Sequence, residues 1–293
     1  MSYYNKLQTK QILNNIINTN ISYDFLIKLL KHCYNNVSFS TLPYFINNYS
    51  SFNSITKLNS GNCVALSLYL QIILKKYNII SYLIPASIPN IYKKHNLLEL
   101  SHVALAIPIN KNNIYILDPA FYFYEPILYT LDDITQQFIK SANIYLDTDL
   151  TIQIHNFKLD NILILNKYQT IPKHTPYSEC NYINNLNDTW RYYIIEIINP
   201  DQAISTFYIN NAKLFLTTTK YINNKLCMDI YLKFEHNNLN IKINNQIYFN
   251  DIINNLTKNN INYLNRILRK YLNTDIITYF SNIKIKHIYN ILD

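Results

Sequence analysis

At 293 residues the chain is long enough to bury a sizeable core in one or two domains, and a hydrophobic content of 49% excludes a disordered protein. The formal net charge is +8, but only 15% of residues are charged and Lys93-Lys94-His95 is the nearest thing to a dense basic run. That pattern describes a solvated surface and not a nucleic-acid face, and a single glycine excludes the glycine-rich phosphate loops of P-loop and dinucleotide-binding proteins.

The composition is skewed to Asn, Ile, Lys, Tyr and Leu, and Arg191, Arg266 and Arg269 are the arginines. An AT-rich genome, such as that of a large DNA virus or a protist, accounts for the skew without giving the Asn runs or the tyrosines a function. The four cysteines, Cys33, Cys63, Cys180 and Cys227, are far apart and lack metal-ligand spacing. The start MSYYNKLQTK is polar, and no run reaches the roughly eighteen apolar residues that cross a bilayer. The expectation is an intracellular, cytoplasmic protein (host cytoplasm or virion if viral) with free thiols, no bound metal, no tightly bound cofactor, and no nucleic-acid or membrane partner.

In chain order, residues 6–17 have a helical apolar period. Ser22 is placed to cap a second helix whose face is Phe25, Leu26, Leu29, Leu30 and Cys33, with Cys33 in the core and His32 exposed. Pro43 and the Asn/Ser-rich stretch 47–60 read as a break. Gly61 follows, two positions before Cys63. A chain that avoids glycine this strongly keeps one where a positive φ or a close backbone approach demands it, so Gly61 and Asn62 form the turn before a nucleophile. Residues 63–77 then read as a helix apolar on nearly every face, hence buried, with Cys63 at the positive end of its dipole.

Residues 79–84 are a strand ended by Pro85 and Pro89, and 86–99 a loop in which His95 reads as ordinary. The runs 101–109 and 114–118, parted by Asn110-Lys111-Asn112-Asn113, form an antiparallel hairpin. Centred on Lys111, it sets Asp118 opposite Ala104, with His102 the diagonal neighbour on the same face, roughly 7–8 Å away at the backbone. A shift of one residue would separate them. Pro119 stops the strand. The aromatic run 121–124 is a wall that packs the core, lines a substrate site through Phe121 and Tyr122, or does both. Thr130 with Asp133 suggests a capped helix over 131–141. Alternating segments follow at 149–156 and 161–166, then a proline-bearing loop 171–189 in which His174 and Cys180 do not form a second site. Strands are expected at 190–198, 206–209, 213–219, 226–235 (with Cys227 structural) and 239–249, then a helix at 260–272 and an apolar tail, 275–292, strand-like before helical. His236 and His287 have no companions for metal or base chemistry.

Cysteine attacks as thiolate, which a helix N-terminus and a neighbouring imidazole favour, while a carboxylate beyond the imidazole fixes its tautomer. Cys63, His102 and Asp118 supply those three groups in order. That order, with cysteine opening a helix and the others on adjacent strands, resembles the papain-like and transglutaminase-like superfamily. The spacings, 39 residues from Cys63 to His102 and 16 from there to Asp118, are most similar to arylamine N-acetyltransferases. Leu42-Pro43-Tyr44-Phe45 and the pair Trp190 and Tyr193 echo further segments of that family. The family's arginine and paired glycines before the cysteine are here Asn59-Ser60-Gly61-Asn62, and its usual aromatic after the cysteine is Val64.

The element order reads as an α+β fold: an N-terminal helical bundle carrying the cysteine helix (1–90), packed on an antiparallel β-sheet or barrel with His and Asp (91–200), then a smaller C-terminal β-plus-helix region (201–293). The resemblance adds a function. It implies a thiol acyltransferase in which Cys63 carries the acyl group, His102 is the general base and Asp118 orients it. Acyl-coenzyme A is the implied co-substrate, and a small-molecule amine the implied acceptor. The same residues would serve a cysteine protease, deamidase or transglutaminase-like enzyme, and an inactive viral structural protein that kept the fold is the alternative from another class.

Overall fold

The structure is a computed structural model that describes residues 21–45, 47, 49–86, 102–110, 113–123, 125–132, 137–140, 143–145, 151–153, 162–166, 189–193, 214–222, 225–235, 237–272 and 274–281. The expected helix over 6–17, the strand over 206–209, His95, His174, Cys180, His236 and His287 lie outside the described residues.

Helix α1 (Tyr23–Asn36) begins where its cap predicts: the Ser22 hydroxyl accepts from the Phe25 amide at 3.1 Å, and Leu26, Leu29, Leu30 and Cys33 are buried while His32 is exposed. A short strand, β1 (Ser38–Ser40), leads to α2 (Leu42–Phe45), a single turn that contains Pro43. The polar stretch expected to be a break holds a further helix, α3 (Ser51–Leu58), capped by the Ser50 hydroxyl and ended by Asn59 in the left-handed region at φ 46°. Serine hides this helix from composition. Ser51 and Ser54 share its buried face with Ile55 and Leu58 and satisfy their hydroxyls through hydrogen bonds, so the apolar period is half missing.

The two-residue strand β2 (Ser60–Gly61) pairs with β1 in parallel, and α4 (Cys63–Lys76) follows at once. Val64, Ala65, Leu66, Leu68, Leu70 and Leu74 of α4 are buried, as an all-round apolar helix requires. It packs on the strand that carries His102.

That strand belongs to a seven-stranded sheet built from β3 (Tyr82–Ala86), β4 (His102–Pro108), β5 (Asn113–Leu117), β6 (Ile127–Asp132), β7 (Gln137–Lys140), β10 (Ile162–Asn166) and β11 (Thr189–Tyr193). A separate two-stranded ribbon pairs β8 (Asn143–Tyr145) with β9 (Thr151–Gln153). The large sheet runs β10-β11-β3-β4-β5-β6-β7, and β4 is buried along its whole length. Pro85 does not end β3, which continues to Ala86 opposite His102. Its ring fixes φ at a value the end of a strand tolerates, and among the described residues β11 pairs with β3 at Ala86, past the proline.

Where the structure describes the stretch 131–141, it is strand and not the expected helix: Leu131 of β6 pairs with Phe138 of β7 and Asp132 with Gln137. Sheet pairing overrides a four-residue capping pattern.

A second, six-stranded sheet runs β15-β14-β13-β12-β1-β2 and adds β12 (Leu214–Ile222), β13 (Lys225–Glu235), β14 (Asn238–Ile243) and β15 (Gln246–Ile252). The single strand expected over 239–249 is two, because Asn244 and Asn245 adopt φ 49° and 66° and turn the chain as a tight hairpin does. Helix α5 (Lys258–Leu272) buries Leu264, Leu268 and Leu272, and α6 (Ile276–Ser281) replaces the strand-like start of the tail. Asp275 starts α6 by accepting from the Thr278 amide at 2.8 Å, a local bond that decides for helix over strand. In the described pairings both sheets stay open, so the barrel option is not realised. No described helix is long and apolar enough to cross a membrane.

Candidate active site

Cys63 is the first residue of α4. Asn62 caps that helix, its Oδ1 accepting from the Ala65 amide at 3.1 Å. Gly61 makes the turn fit. Its φ of 158° is a backbone conformation that residues with a side chain rarely adopt, and shortage of room adds a second demand for glycine. A Cβ placed there would lie 2.4 Å from the Ala65 Cβ, 2.7 Å from Ser54 Oγ and 2.8 Å from the Tyr44 hydroxyl.

The hairpin has the register that the sequence predicts. Leu105 pairs with Leu117 and Ile107 with Tyr115, so one further step sets Asp118 opposite Ala104. His102 and Ala104 are two apart on β4 and therefore share a face. His102 Nε2 lies 2.9 and 2.8 Å from the two oxygens of Asp118. With Nε2 committed to the carboxylate, Nδ1 is the nitrogen left for Cys63, whose thiol is near enough to act on the charge of the ring. His102 and Asp118 are 3% and 1% exposed, whereas Cys63 is half-buried.

Burial disfavours the imidazolium, but the charge and hydrogen bonds of Asp118, with those of Cys63, outweigh it and raise His102 from 6.5 to about 10. A ring held protonated between a sulfur and a carboxylate can stabilise a thiolate and later return a proton to a leaving group. Cys33 contrasts with this: it is wholly buried in the core and burial alone pushes its thiol up. Cys227 is half-buried on β13.

Tyr192 was not among the residues singled out from sequence, which favoured its neighbours Trp190 and Tyr193. Its hydroxyl donates to Asp118 Oδ2 at 2.7 Å, and it is 1% exposed. Sheet pairing puts it there: Tyr192 faces Ala86, and Ala86 faces His102, so all three project from one side. Alternation along β11 would have marked position 192 as sharing a face with 190, but no local pattern tells which face meets the carboxylate.

Tyr44, within the proline-aromatic segment, also has a role the sequence does not reveal. Its hydroxyl donates to Asn62 Oδ1 at 2.7 Å and accepts from the Asn62 amide at 3.0 Å. Of the aromatic pair after Asp118, Phe121 closes the 3₁₀ turn Pro119–Phe121, and its side chain lies outside the described residues. Tyr122 adopts φ 58° and is buried, its ring 5.6 Å from Tyr34. No cluster of metal-ligating side chains is present among the described residues.

Fold and site together define an α+β protein with a Cys-His-Asp arrangement at the N-terminus of a buried helix. Comparison with solved structures places the fold. The chain superimposes on the arylamine N-acetyltransferase of Salmonella typhimurium with a TM-score of 0.53 and 8% identity, over 97% of this chain and 98% of that one. The arylamine N-acetyltransferase of Bacillus cereus, described as having a Cys-His-Glu catalytic triad, matches with a TM-score of 0.49 and 14% identity over 89% and 96% of the two chains. That of Mycobacterium marinum in complex with CoA matches with 0.48 and 10% over 94% and 97%. No family model and no curated protein sequence matches. The likeness is therefore one of fold.

Proposed function

We propose that this chain is a thiol acyltransferase working through an acyl-Cys63 intermediate. The observation that carries the proposal is the chain of contacts from the Cys63 thiol to the His102 ring and on to both oxygens of Asp118, on a fold shared with an arylamine N-acetyltransferase.

The Cys63 thiolate attacks the carbonyl carbon of an acyl thioester, a C–S bond forms and the carbonyl π pair moves to oxygen. Open amides at the start of α4 stabilise that oxyanion. Collapse breaks the bond to the donor's sulfur, which leaves as thiol with the proton from His102. An amine then attacks the acyl-enzyme, the now neutral His102 takes its proton, and Cys63 departs as thiolate. The ion pair is restored, and two easier steps replace one hard one. Asp118 keeps Nε2 protonated throughout, so Nδ1 is the atom that exchanges protons. A coenzyme A thioester is the proposed donor and a small amine the acceptor.

The test is to incubate the protein with acetyl-coenzyme A and an arylamine, and separately with a peptide amide. An N-acetylated amine and an intact peptide are expected. Peptide cleavage without amine acetylation would replace the transferase with a hydrolase that uses the same residues.

A further inference from the structure

The amides at the start of α4 are divided by a small buried network. The first four N–H groups of a helix have no acceptor within it. At this turn the Ala65 amide donates to Asn62 Oδ1 at 3.1 Å and the Leu66 amide to the Asn62 carbonyl at 3.0 Å. The Asn62 amide itself is taken by the Tyr44 hydroxyl at 3.0 Å, and that hydroxyl donates back to Asn62 Oδ1 at 2.7 Å. Ser51 Oγ adds a third bond to the same Oδ1 at 3.2 Å. Tyr44, Ser51 and Asn62 are all buried. One side-chain oxygen thus gathers three donors, and one phenol both gives to and takes from a single residue. Among the described residues, the amides of Cys63 and Val64 are the ones at this turn with no acceptor.

We infer that Tyr44 and Asn62 form a clamp that positions the Cys63 and Val64 amides as the oxyanion donors of acyl transfer. Neither side chain touches substrate; both are positioning residues that act through the backbone. Asn62 stands directly before the nucleophile, so rotation of its peptide plane moves the Cys63 N–H. The Tyr44 hydroxyl fixes Asn62 from both its amide and its side chain, which holds that plane. Gly61 completes the device, because any Cβ there would lie 2.8 Å from the same hydroxyl. The single glycine of the chain clears the space the clamp occupies.

This inference rests on the acyl-transfer reading, and the experiment separates the two. Attack on a carbonyl builds an oxyanion that needs the amides, whereas alkylation by iodoacetamide displaces iodide at a saturated carbon and builds none. Both rates are measured at Cys63 in wild type, Tyr44→Phe and Asn62→Ala, with p-nitrophenyl acetate as the acyl donor. In the variants acylation falls about tenfold to a hundredfold, with the loss in kcat and not in KM, while alkylation stays within about twofold. Phenylalanine keeps the ring, so Tyr44→Phe isolates the hydroxyl; should it not fold, Asn62→Ala carries the same comparison. Acylation in the folded variants equal to that of wild type, or acylation and alkylation falling in parallel, overturns the clamp and leaves the acyltransferase standing. A wild-type protein that alkylates at Cys63 but never acylates overturns both.

Discussion

Replacing Gly61 with alanine puts a methyl group where the turn has no room. Its three nearest neighbours would be the Ala65 Cβ at 2.4 Å, Ser54 Oγ at 2.7 Å and the Tyr44 hydroxyl at 2.8 Å. The first belongs to a helix packed on β4, so it cannot swing aside. The other two are short polar groups, but each is tied: Ser54 donates to the Ser60 carbonyl and Tyr44 holds Asn62. Overpacking of a well-packed site costs about 1–3 kcal/mol, and releasing one of those hydrogen bonds adds about 1 kcal/mol. A total of about 2–4 kcal/mol, at roughly 2–4 °C per kcal/mol for a large domain, lowers Tm by roughly 5–15 °C. Thermal melting by circular dichroism measures this directly, and acylation of Cys63 reports whether the turn has moved. A Gly61→Ala protein that melts with wild type and acylates at the wild-type rate would refute the close-approach argument.

Three further outcomes follow from the same contacts. His102 is raised from 6.5 to about 10 in the folded chain, so its pairing stabilises fully below about pH 6.5 and is lost as pH rises through about 10. Wild-type Tm should therefore fall more steeply over that window than Tm of Asp118→Asn, which lacks the anion; parallel slopes would contradict the pairing. Tyr192→Phe removes a buried hydrogen bond to a carboxylate, which costs about 1.5–3 kcal/mol. It should lower both Tm and the acylation rate, with Tyr192→Leu no better, and wild-type behaviour would show that Asp118 needs no partner beyond His102. Cys33 is wholly buried with its thiol pushed up. Iodoacetamide should label Cys63 in the folded protein and Cys33 only in denaturant, as read by peptide mass mapping.

The site was more legible than the fold around it, for identifiable reasons. The hairpin register followed from a turn of polar residues between two β-rich runs, and period-two alternation then fixed His102 and Asp118 on one face. The cysteine helix declared itself by apolar residues on every side. By contrast α3 was hidden because its buried face is built partly of serine, and the β14–β15 turn because asparagine carries the positive φ that glycine usually marks. Tyr192 comes to Asp118 through pairing between strands about a hundred residues apart, 86 with 192. No local pattern encodes a pairing of that range, since many strands can satisfy the same alternation. The helix expected over 131–141 failed for the opposite reason: a local capping pattern was present, and sheet pairing overruled it.

The account stands on one sulfur, one imidazole and one carboxylate acting as a unit. The most direct measurement is intact-protein mass spectrometry, with peptide mapping, after brief exposure to acetyl-coenzyme A. Wild type should carry one acetyl group on Cys63, with none on Cys63→Ala and a strongly reduced amount on His102→Ala. An acetyl group that forms equally well without His102, or that maps to lysines and leaves Cys63 unmodified, would contradict it.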